Sequence, residues 1–245
     1  MAAEWWLIDE PTQLALAGVI DAAAKRVVEH FDLHWNENSL TAAFGEHLLQ
    51  TQLSIGNTSA RFLYRNFSEA DEEPATGADG GIVVSINSRG QTITKAVLFQ
   101  AKRFPQDREV KSLSLPREDA KRLKHQVDTM LPITDQCIVM AHTRERIYAI
   151  DGRCADRQSI DNLRYVTERC RLVSIGTFLG KWVARCSRGE TGQYVVNSVA
   201  EPKGFIHHQL SMTIDTDQQP MLASGSAALD SHRFDTPIRA GRRRR

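Results

Sequence analysis

Two polar side chains interrupt an apolar run in the segment VLFQAKRF, residues 97–104. Gln100 and Lys102 are two positions apart, so a β-strand would direct both side chains to one face. An acid, Asp79, lies upstream in the sequence TGADGG. A carboxylate, an amide oxygen and an ammonium group that meet at one place could bind a divalent cation and stabilise negative charge on a phosphodiester.

The strands that carry these residues are predicted to form a β-hairpin. The β-rich segments 81–86 and 94–102 are separated by NSRGQ, a turn-forming sequence that contains Gly90. Antiparallel strands pair symmetrically about their turn, and the midpoint between positions 79 and 100 falls at this turn. Asp79 should therefore lie opposite Gln100, which predicts a magnesium site and phosphodiester hydrolysis as its chemistry.

Periodic patterns predict the elements around this hairpin. The predicted helices cover residues 11–35, 39–53, 116–131, 161–170 and 176–186, and the further strands cover residues 61–67, 136–142, 146–151 and 171–175. From residue 37 to residue 142 the order is helix, strand, strand, strand, helix, strand. The signals weaken beyond residue 189, and the polar segment after residue 218 is predicted to be a loosely ordered tail.

This order and these residues resemble the restriction-endonuclease-like, or PD-(D/E)XK, nucleases. The match consists of Asp79 in TGADGGIVV and of Gln100, Ala101 and Lys102 in LFQAKR. The glutamine variant looks like the QxK form of Mrr-like restriction enzymes and of several bacterial anti-phage effectors. The resemblance covers residues 37–142 and implies an α/β fold with a restriction-endonuclease-like αβββαβ core, whose mixed central sheet is flanked by helices.

The resemblance also implies a function and a cofactor. It suggests a Mg²⁺-dependent DNA endonuclease in bacterial restriction or anti-phage defence, with Mn²⁺ able to substitute. Duplex DNA is the expected substrate, and a homodimer or a partner defence subunit is the expected assembly. Because a neutral amide attracts a dication less strongly than a carboxylate does, Gln100 is the weakest ligand of the expected site.

The resemblance further implies an acid from the helix before the sheet, for which Glu37 and Glu46 are candidates. Glu37 lies three, seven and eleven positions before Leu40, Phe44 and Leu48, so it extends the apolar stripe of that helix. Glu46 is two positions from the last two of these residues and lies on a different face. The sequence NENSLTAAF is also similar to the Glu-x-x-Leu-Thr pattern of some QxK relatives. Glu37 is therefore preferred, and Glu46 stays the alternative.

The predicted site residues fall into three roles. The expected metal ligands are Asp79, Gln100 and Glu37, the residue that positions the attacking water is Lys102, and the substrate-binding residues are Arg103 and Gln126. Gln126 interrupts the apolar stripe of the helix after the motif, where a satisfied buried amide is an equally good interpretation. The basic residues near this end of the sheet could contact phosphates or form a solvated helix face; they are Lys111, Arg117, Lys121, Arg122 and Lys124.

Two other functions remain open at this point. The same fold could carry a structure-specific or RNA-directed nuclease, since a fold does not determine its substrate. A catalytically silent nucleic-acid-binding or interaction module is also consistent with the amide at position 100. The chain is predicted to divide into a nuclease domain with its N-terminal helix, residues 1–188, and a C-terminal α/β extension with a basic tail, residues 189–245.

Composition restricts these interpretations further. The net charge is only +1, so nucleic acid would have to bind to a local basic patch. The four cysteines, at positions 137, 154, 170 and 186, contain no CxxC pair and are predicted to be buried thiols outside any disulfide. The N-terminus lacks a signal-peptide pattern and no apolar run is long enough to span a membrane. A cytoplasmic location is therefore expected.

Overall fold

The structure is a computed structural model that describes residues 5–67, 75–104, 115–160, 170–185, 188–202, 204–218 and 221–222. Its centre is an eight-stranded mixed sheet with helices packed on both faces. The predicted α/β class with a mixed central sheet flanked by helices is therefore confirmed.

The sheet has the strand order β2-β3-β9-β4-β5-β6-β7-β8. Its strands are β2 (Gln52–Ile55), β3 (Thr58–Asn66), β4 (Gly80–Ser88), β5 (Gln91–Phe104), β6 (Cys137–Thr143), β7 (Ile147–Asp151), β8 (Val173–Ser174) and β9 (His208–Thr216). The pairs β4–β9 and β5–β6 are parallel, and the other neighbours are antiparallel. A separate two-stranded ribbon pairs β1 (Trp5–Trp6) with β10 (Met221–Leu222).

Six helices flank the sheet within the described ranges. They are α1 (Glu10–Glu29), α2 (Glu37–Leu49), α3 (Arg117–Met130), α4 (Gly152–Asp156), the π-helical α5 (Thr177–Val183) and α6 (Gln193–Ala200). A 3₁₀ turn (Phe31–Leu33) connects α1 to α2. Local sequence explains the starts of α1 and α2: Asp9 caps α1 by accepting from Thr12 N, and Asn36 forms a capping box with Ser39.

Two helices end earlier than their apolar patterns predicted. The helix predicted over residues 11–35 ends at Glu29, and the helix predicted over 39–53 ends at Leu49. Residues 52–55 instead form β2, which pairs with β3 at the edge of the sheet. Leu53 packs against the core from this strand. Burial of this one residue is compatible with a helix as well as with a strand, so the apolar pattern did not distinguish the two.

The sequence signals missed β9, which lies between β3 and β4 in the sheet. This strand is parallel to β4 and antiparallel to β3, and its alternate residues Leu210, Met212 and Ile214 are buried in the core. The proposed boundary between residues 188 and 189 stays a prediction. However, β9 follows that boundary in the chain and belongs to the same sheet as the strands that precede it. The segment that forms β9 is therefore not peripheral to the sheet.

Two hydrophobic clusters cover the two faces of the sheet. One cluster joins α1, α2 and α5 to β5 residues such as Val97 and Phe99, and the other joins α3, α4 and α6 to Leu98 and Phe104. This alternation along β5 is the expected consequence of the two-residue period of a strand. Gln100 and Lys102 lie an even number of positions from Leu98 and Phe104, so their side chains leave β5 on the face that α3 covers.

The prediction that the cysteines are unlinked thiols was wrong for two of them. Cys154 in α4 and Cys170 before β8 form a disulfide across a sequence separation of 16 residues. Their pairing depends on tertiary contact and not on a local motif, which is why the missing CxxC pattern did not reveal it. Cys137 is a buried free thiol, and Cys186 lies outside the described residues, as does most of the predicted helix over 161–170.

None of the helices within the described ranges is long and apolar enough to cross a membrane. The expected cytoplasmic location stays a prediction. The basic tail that ends the sequence, together with Lys111, lies outside the residues that the structure describes.

Candidate active site

Asp79 and Gln100 meet where β4 begins, in the register that the hairpin symmetry predicts. The β4–β5 ladder starts with Gly80 opposite Phe99, so the next position outward aligns Asp79 with Gln100. The Gln100 amide nitrogen Nε2 donates to Asp79 Oδ2 at 2.5 Å, and the backbone N–H of Ala101 donates to the same oxygen at 2.8 Å. The carboxylate is thus bound to the strand that carries Gln100 and Lys102.

The backbone of Asp79 is fixed by β9, the strand that the sequence signals missed. The backbone N–H groups of His207 and His208 both donate to the Asp79 carbonyl oxygen, at 2.9 and 3.0 Å. Gly80 permits this close approach, because a Cβ atom there would lie 2.2 Å from the Phe99 ring and 2.7 Å from the His208 carbonyl oxygen. The glycine that follows Asp79 is therefore required by packing and not only by a turn.

The environment of Asp79 raises the pKa of its carboxyl group to about 6. Burial is the largest cause, and the negative charge of Glu37 acts in the same direction. The positive charge of Lys102 and the hydrogen bonds from Ala101 and Gln100 oppose the shift. Asp79 is therefore mostly ionised at neutral pH, but a modest fall in pH would protonate it. An additional cation nearby would stabilise its ionised form.

Lys102 is paired with Glu37, the acid that helical spacing favoured. The Lys102 Nζ atom lies 3.3 Å from Glu37 Oε1, and the lysine side chain is only 6% exposed. Glu37 is the first residue of α2, so the lysine reaches from the sheet to the N-terminal end of that helix. Glu46 is exposed on α2, and its charge acts on Tyr64 and His34 instead.

Gln100 carries an unsatisfied oxygen at the centre of this arrangement. The residue is 1% exposed, and its Oε1 atom has no hydrogen-bond partner among the residues that the structure describes. A buried acceptor left without a partner costs about 1–3 kcal/mol, so a cation or donor that reached this oxygen would be stabilised by it. Rotation of the amide would exchange Nε2 and Oε1 and present an oxygen beside the Asp79 carboxylate.

These side chains fit a weakly held hard cation better than a preformed metal cage. No group of three His, Cys, Asp or Glu side chains is arranged to hold a metal ion within the described ranges. The candidate oxygen donors are the carboxylates of Asp79 and Glu37 and the amide of Gln100. Mg²⁺ suits such a set because it commonly binds one or two carboxylates and keeps water or substrate phosphate at its other positions.

Arg103 follows Lys102 and is held over an aromatic ring. Its guanidinium carbon lies 4.6 Å from the centroid of the Phe31 ring, and that of Arg144 lies 5.4 Å from the same centroid. Arg144 also forms an ion pair with Asp32. Phe31 therefore holds two arginines by cation–π contact, an arrangement that the sequence did not indicate beyond Arg103 itself.

Gln126 lies on the buried face of α3, close to the loop that leads to Asp79. A Cβ atom on Gly77 would lie 2.7 Å from the backbone oxygen of Gln126, so this helix packs directly against the loop. Gly77 has a φ of 69°, a left-handed conformation that favours glycine. Gln126 thus supports the approach to the site, and its expected contact with substrate stays a prediction.

Most of the basic residues that follow the motif are paired with local acids. The pairs are Lys121–Glu118, Arg122–Asp119 and Lys124–Asp156. The pairs of Lys121 and Arg122 are largely exposed and contribute little to stability, whereas Lys124 is half-buried; all three pairs compensate positive charge that would otherwise attract a phosphate. The structure therefore favours the solvated-face interpretation for Lys121 and Arg122, and Arg103, next to Lys102 in β5, stays the candidate for a phosphate contact.

Two buried histidines near the site were not recognised as candidates from the sequence. His142 in β6 lies opposite Arg103 in the sheet, and its Nε2 atom is 3.2 Å from the Thr41 hydroxyl on α2. His208 in β9 has its Nδ1 atom 2.9 Å from the Tyr64 hydroxyl. Burial, together with the positive charge of neighbouring histidines, lowers the pKa of these imidazoles to about 3 and about 4. Both are therefore neutral at physiological pH.

Comparison with protein-family models, curated proteins and solved structures finds no match to this chain. The fold and the site define an α/β protein with an eight-stranded mixed sheet and a cluster of two carboxylates, an amide and an ammonium at one end. The resemblance to the PD-(D/E)XK nucleases remains a hypothesis that rests on these residues and on the order of the elements.

Proposed function

We propose that this protein is a metal-dependent endonuclease that hydrolyses phosphodiester bonds in DNA. The observation that carries the proposal is the convergence of Asp79 with Gln100 and of Lys102 with Glu37, joined by a 2.5 Å hydrogen bond and a 3.3 Å ion pair. The Asp79 carboxyl also responds electrostatically to Lys102 and Glu37, so the four side chains form one cluster. Following the QxK resemblance, the proposed setting is restriction or anti-phage defence.

The order of the surrounding elements supports this proposal. The helix α2, the strands β3, β4 and β5, the helix α3 and the strand β6 follow one another as αβββαβ, with the short strand β2 added after the first helix. β9 is a departure in space, because it separates β3 from β4. It leaves the β4–β5 hairpin intact, and this hairpin is the unit that carries the motif.

The proposed cofactor is Mg²⁺, with Mn²⁺ as a substitute, held by Asp79, Gln100 and Glu37. When bound, such an ion polarises the phosphodiester and lowers the pKa of a coordinated water. The protein side chains have separate tasks. Asp79 must be ionised, and Gln100 must turn its amide oxygen toward the ion.

Lys102 is proposed to orient the attacking water and to stabilise the developing negative charge on the phosphate. Its ammonium is already desolvated beside Glu37, so its interaction with a phosphate oxygen would be stronger than that of a surface lysine. Arg103, which is positioned by Phe31, is proposed to contact a neighbouring phosphate of the substrate.

The test is cleavage of supercoiled plasmid DNA by the purified protein in Mg²⁺ or Mn²⁺. We expect EDTA, Lys102→Ala and Asp79→Ala to abolish cleavage. Lys121→Ala removes an exposed lysine on α3 and should leave cleavage unchanged. Thermal unfolding of each variant checks that the fold is retained. Unchanged cleavage by both site variants would exclude the assignment.

A catalytically silent nucleic-acid-binding module is the second candidate. It is favoured by the hydrogen bond from the Gln100 amide to Asp79 and, among the described residues, by the lack of a third carboxylate in the cluster. This candidate predicts salt-sensitive binding without cleavage in any divalent metal. Parallel cleavage assays with duplex DNA, junction DNA and RNA also test for a structure-specific or RNA-directed nuclease. Measurement of the molecular mass in solution tests the expected homodimer.

A further inference from the structure

A pocket of about 330 Å³ lies beside β7 and β8, and it shares no lining residue with the Asp79 cluster. We name it the β7–β8 pocket. Its charged lining consists of Arg146, Arg171, Lys181, Arg185 and Glu10. Its volume is within the range of small-molecule sites, roughly 300–1,000 Å³.

The charge of this pocket is unusual for the chain that contains it. Among the residues that the structure describes, four cations and one acid line the pocket, whereas the whole sequence has a net charge of +1. Arg146 precedes β7, Arg171 precedes β8, and Lys181 lies in α5, so the fold brings these cations together from separate segments. Concave surfaces lined by one sign of charge focus the electrostatic potential, and this concentration of cations favours an anionic ligand.

The cations are held in place and partly desolvated. Arg171 has its guanidinium carbon 5.9 Å from the centroid of the Trp182 ring, and the preceding residue, Cys170, is tethered to α4 by the disulfide. Arg185 is 4% exposed, whereas Arg146 is exposed. The pocket therefore has one buried cation and one solvent-accessible cation in its wall. This arrangement suits a small anion that enters the pocket better than a long polymer that lies across a flat surface.

A phenol supplies a further donor to this lining. Tyr148 is half-buried, and burial raises the pKa of its hydroxyl group although the nearby Arg146 opposes the shift. The hydroxyl therefore stays protonated near neutral pH and can donate to an oxyanion. A planar guanidinium group can donate two parallel hydrogen bonds to phosphate oxygens, so three arginines, a lysine and a phenol match a phosphate group well.

The pocket also lies close to the candidate active site across the sheet. Ala141 in β6 pairs with Lys102 on one side and with Tyr148 on the other. The backbones of Lys102 and Tyr148 are therefore two strand spacings apart, roughly 10 Å. A ligand in the pocket would therefore be separated from the proposed chemistry by the strand β6 and would not overlap the Asp79 cluster.

We propose that the β7–β8 pocket binds a small phosphate-bearing molecule with the dimensions of a mononucleotide. The proposal does not depend on nuclease activity, since it uses none of the four residues of the Asp79 cluster. The cations offset the phosphate charge. Among the described lining residues Glu10, in the first turn of α1, opposes it, and the negative charges of Glu145 and Asp21 also act on Tyr148.

The test is calorimetric binding of pyrophosphate and of adenosine monophosphate to the full chain in metal-free, low-salt buffer. Uncharged adenosine is the ligand control. We expect both phosphate compounds to bind and adenosine not to bind. Lys181→Gln and Arg171→Gln should each weaken binding by about 10-fold, the effect of one lost charge-assisted hydrogen bond. Lys25→Gln removes an exposed lysine from α1 outside the pocket and should have no effect.

Several results would overturn the proposal. Absence of binding for both phosphate compounds, or equal binding by Lys181→Gln and Lys25→Gln, would exclude a phosphate site. Binding of an oligonucleotide that depends on Arg171 and Lys181, without binding of either small compound, would assign the pocket to nucleic acid instead. The Lys102→Ala variant should bind the small compounds as the unchanged protein does, so loss of cleavage and loss of binding can be distinguished.

Discussion

Gln100 donates a hydrogen bond to Asp79 through Nε2, whereas its Oε1 atom has no partner among the described residues. This relationship joins the two central residues of the candidate site and leaves the amide in the orientation opposite to the one that a cation requires. The hydrogen bond stabilises the Asp79 carboxylate when no cation is present. The orientation of one amide therefore distinguishes a resting arrangement from one that could bind a metal ion.

Replacement of Gln100 by Glu is expected to increase the dependence of stability on metal. A second buried carboxylate beside Asp79 repels it, so the melting temperature without metal should fall. Mg²⁺ should then raise the melting temperature of Gln100→Glu more than that of the unchanged protein, because binding to the folded state stabilises it. Scanning calorimetry with and without Mg²⁺ measures both effects. The exposed Gln52→Glu change is the control, and an equal Mg²⁺ response in both variants would contradict the proposed metal site.

Proposed cleavage is expected to depend on pH through Asp79. Burial raises the pKa of this carboxyl group to about 6, and only its ionised form attracts a cation. Mg²⁺-dependent cleavage should therefore decline as the pH falls through about 6, about 2 pH units above the range of an exposed aspartate. Initial rates between pH 5 and pH 8 at subsaturating Mg²⁺ test this, because a saturating cation would displace the proton and keep the carboxyl group ionised at lower pH. A rate that stays constant down to pH 5 would show that this carboxylate is not needed.

Buried His142 is expected to make the fold sensitive to acid. Burial lowers its pKa from 6.5 to about 3, so the unfolded chain binds a proton at a higher pH than the folded chain does. The contribution of the neutral His142 imidazole to the free energy of unfolding is therefore fully present above pH 6.5. It is lost as the pH falls toward 3, because only the unfolded chain takes up the proton in this range. His142→Gln should reduce the slope of unfolding free energy against pH in this window, as measured by urea unfolding. The matched change His125→Gln is at an exposed position and should keep the slope of the unchanged protein.

Gly80 is expected to tolerate no side chain. A Cβ atom there would overlap the Phe99 ring and the His208 carbonyl oxygen, so Gly80→Ala should lower the unfolding free energy by about 1–3 kcal/mol. At Gly18, in the exposed part of α1, a Cβ atom meets nothing, and Gly18→Ala should raise stability by roughly 0.5–1 kcal/mol. Urea unfolding of both variants measures the contrast. Equal effects at the two positions would contradict the close packing of Gly80 against Phe99 and His208.

Local sequence determined the parts of the candidate site that depend on short-range geometry. Hairpin symmetry about Gly90 brought Asp79 to Gln100, because antiparallel pairing follows from counting residues outward from a turn. Helical spacing selected Glu37 over Glu46, because residues three and four positions apart share one face of a helix. The order of helices and strands between residues 37 and 142 followed from the same two periodicities.

Only the tertiary structure decided how distant segments combine. It placed β9 between β3 and β4, linked Cys154 to Cys170, and collected the cations of the β7–β8 pocket from separate elements. Each of these contacts joins residues whose separation along the chain has no fixed relation to their separation in space. Periodicity specifies which face of an element is buried, but the partner that buries it is selected by packing of the whole chain.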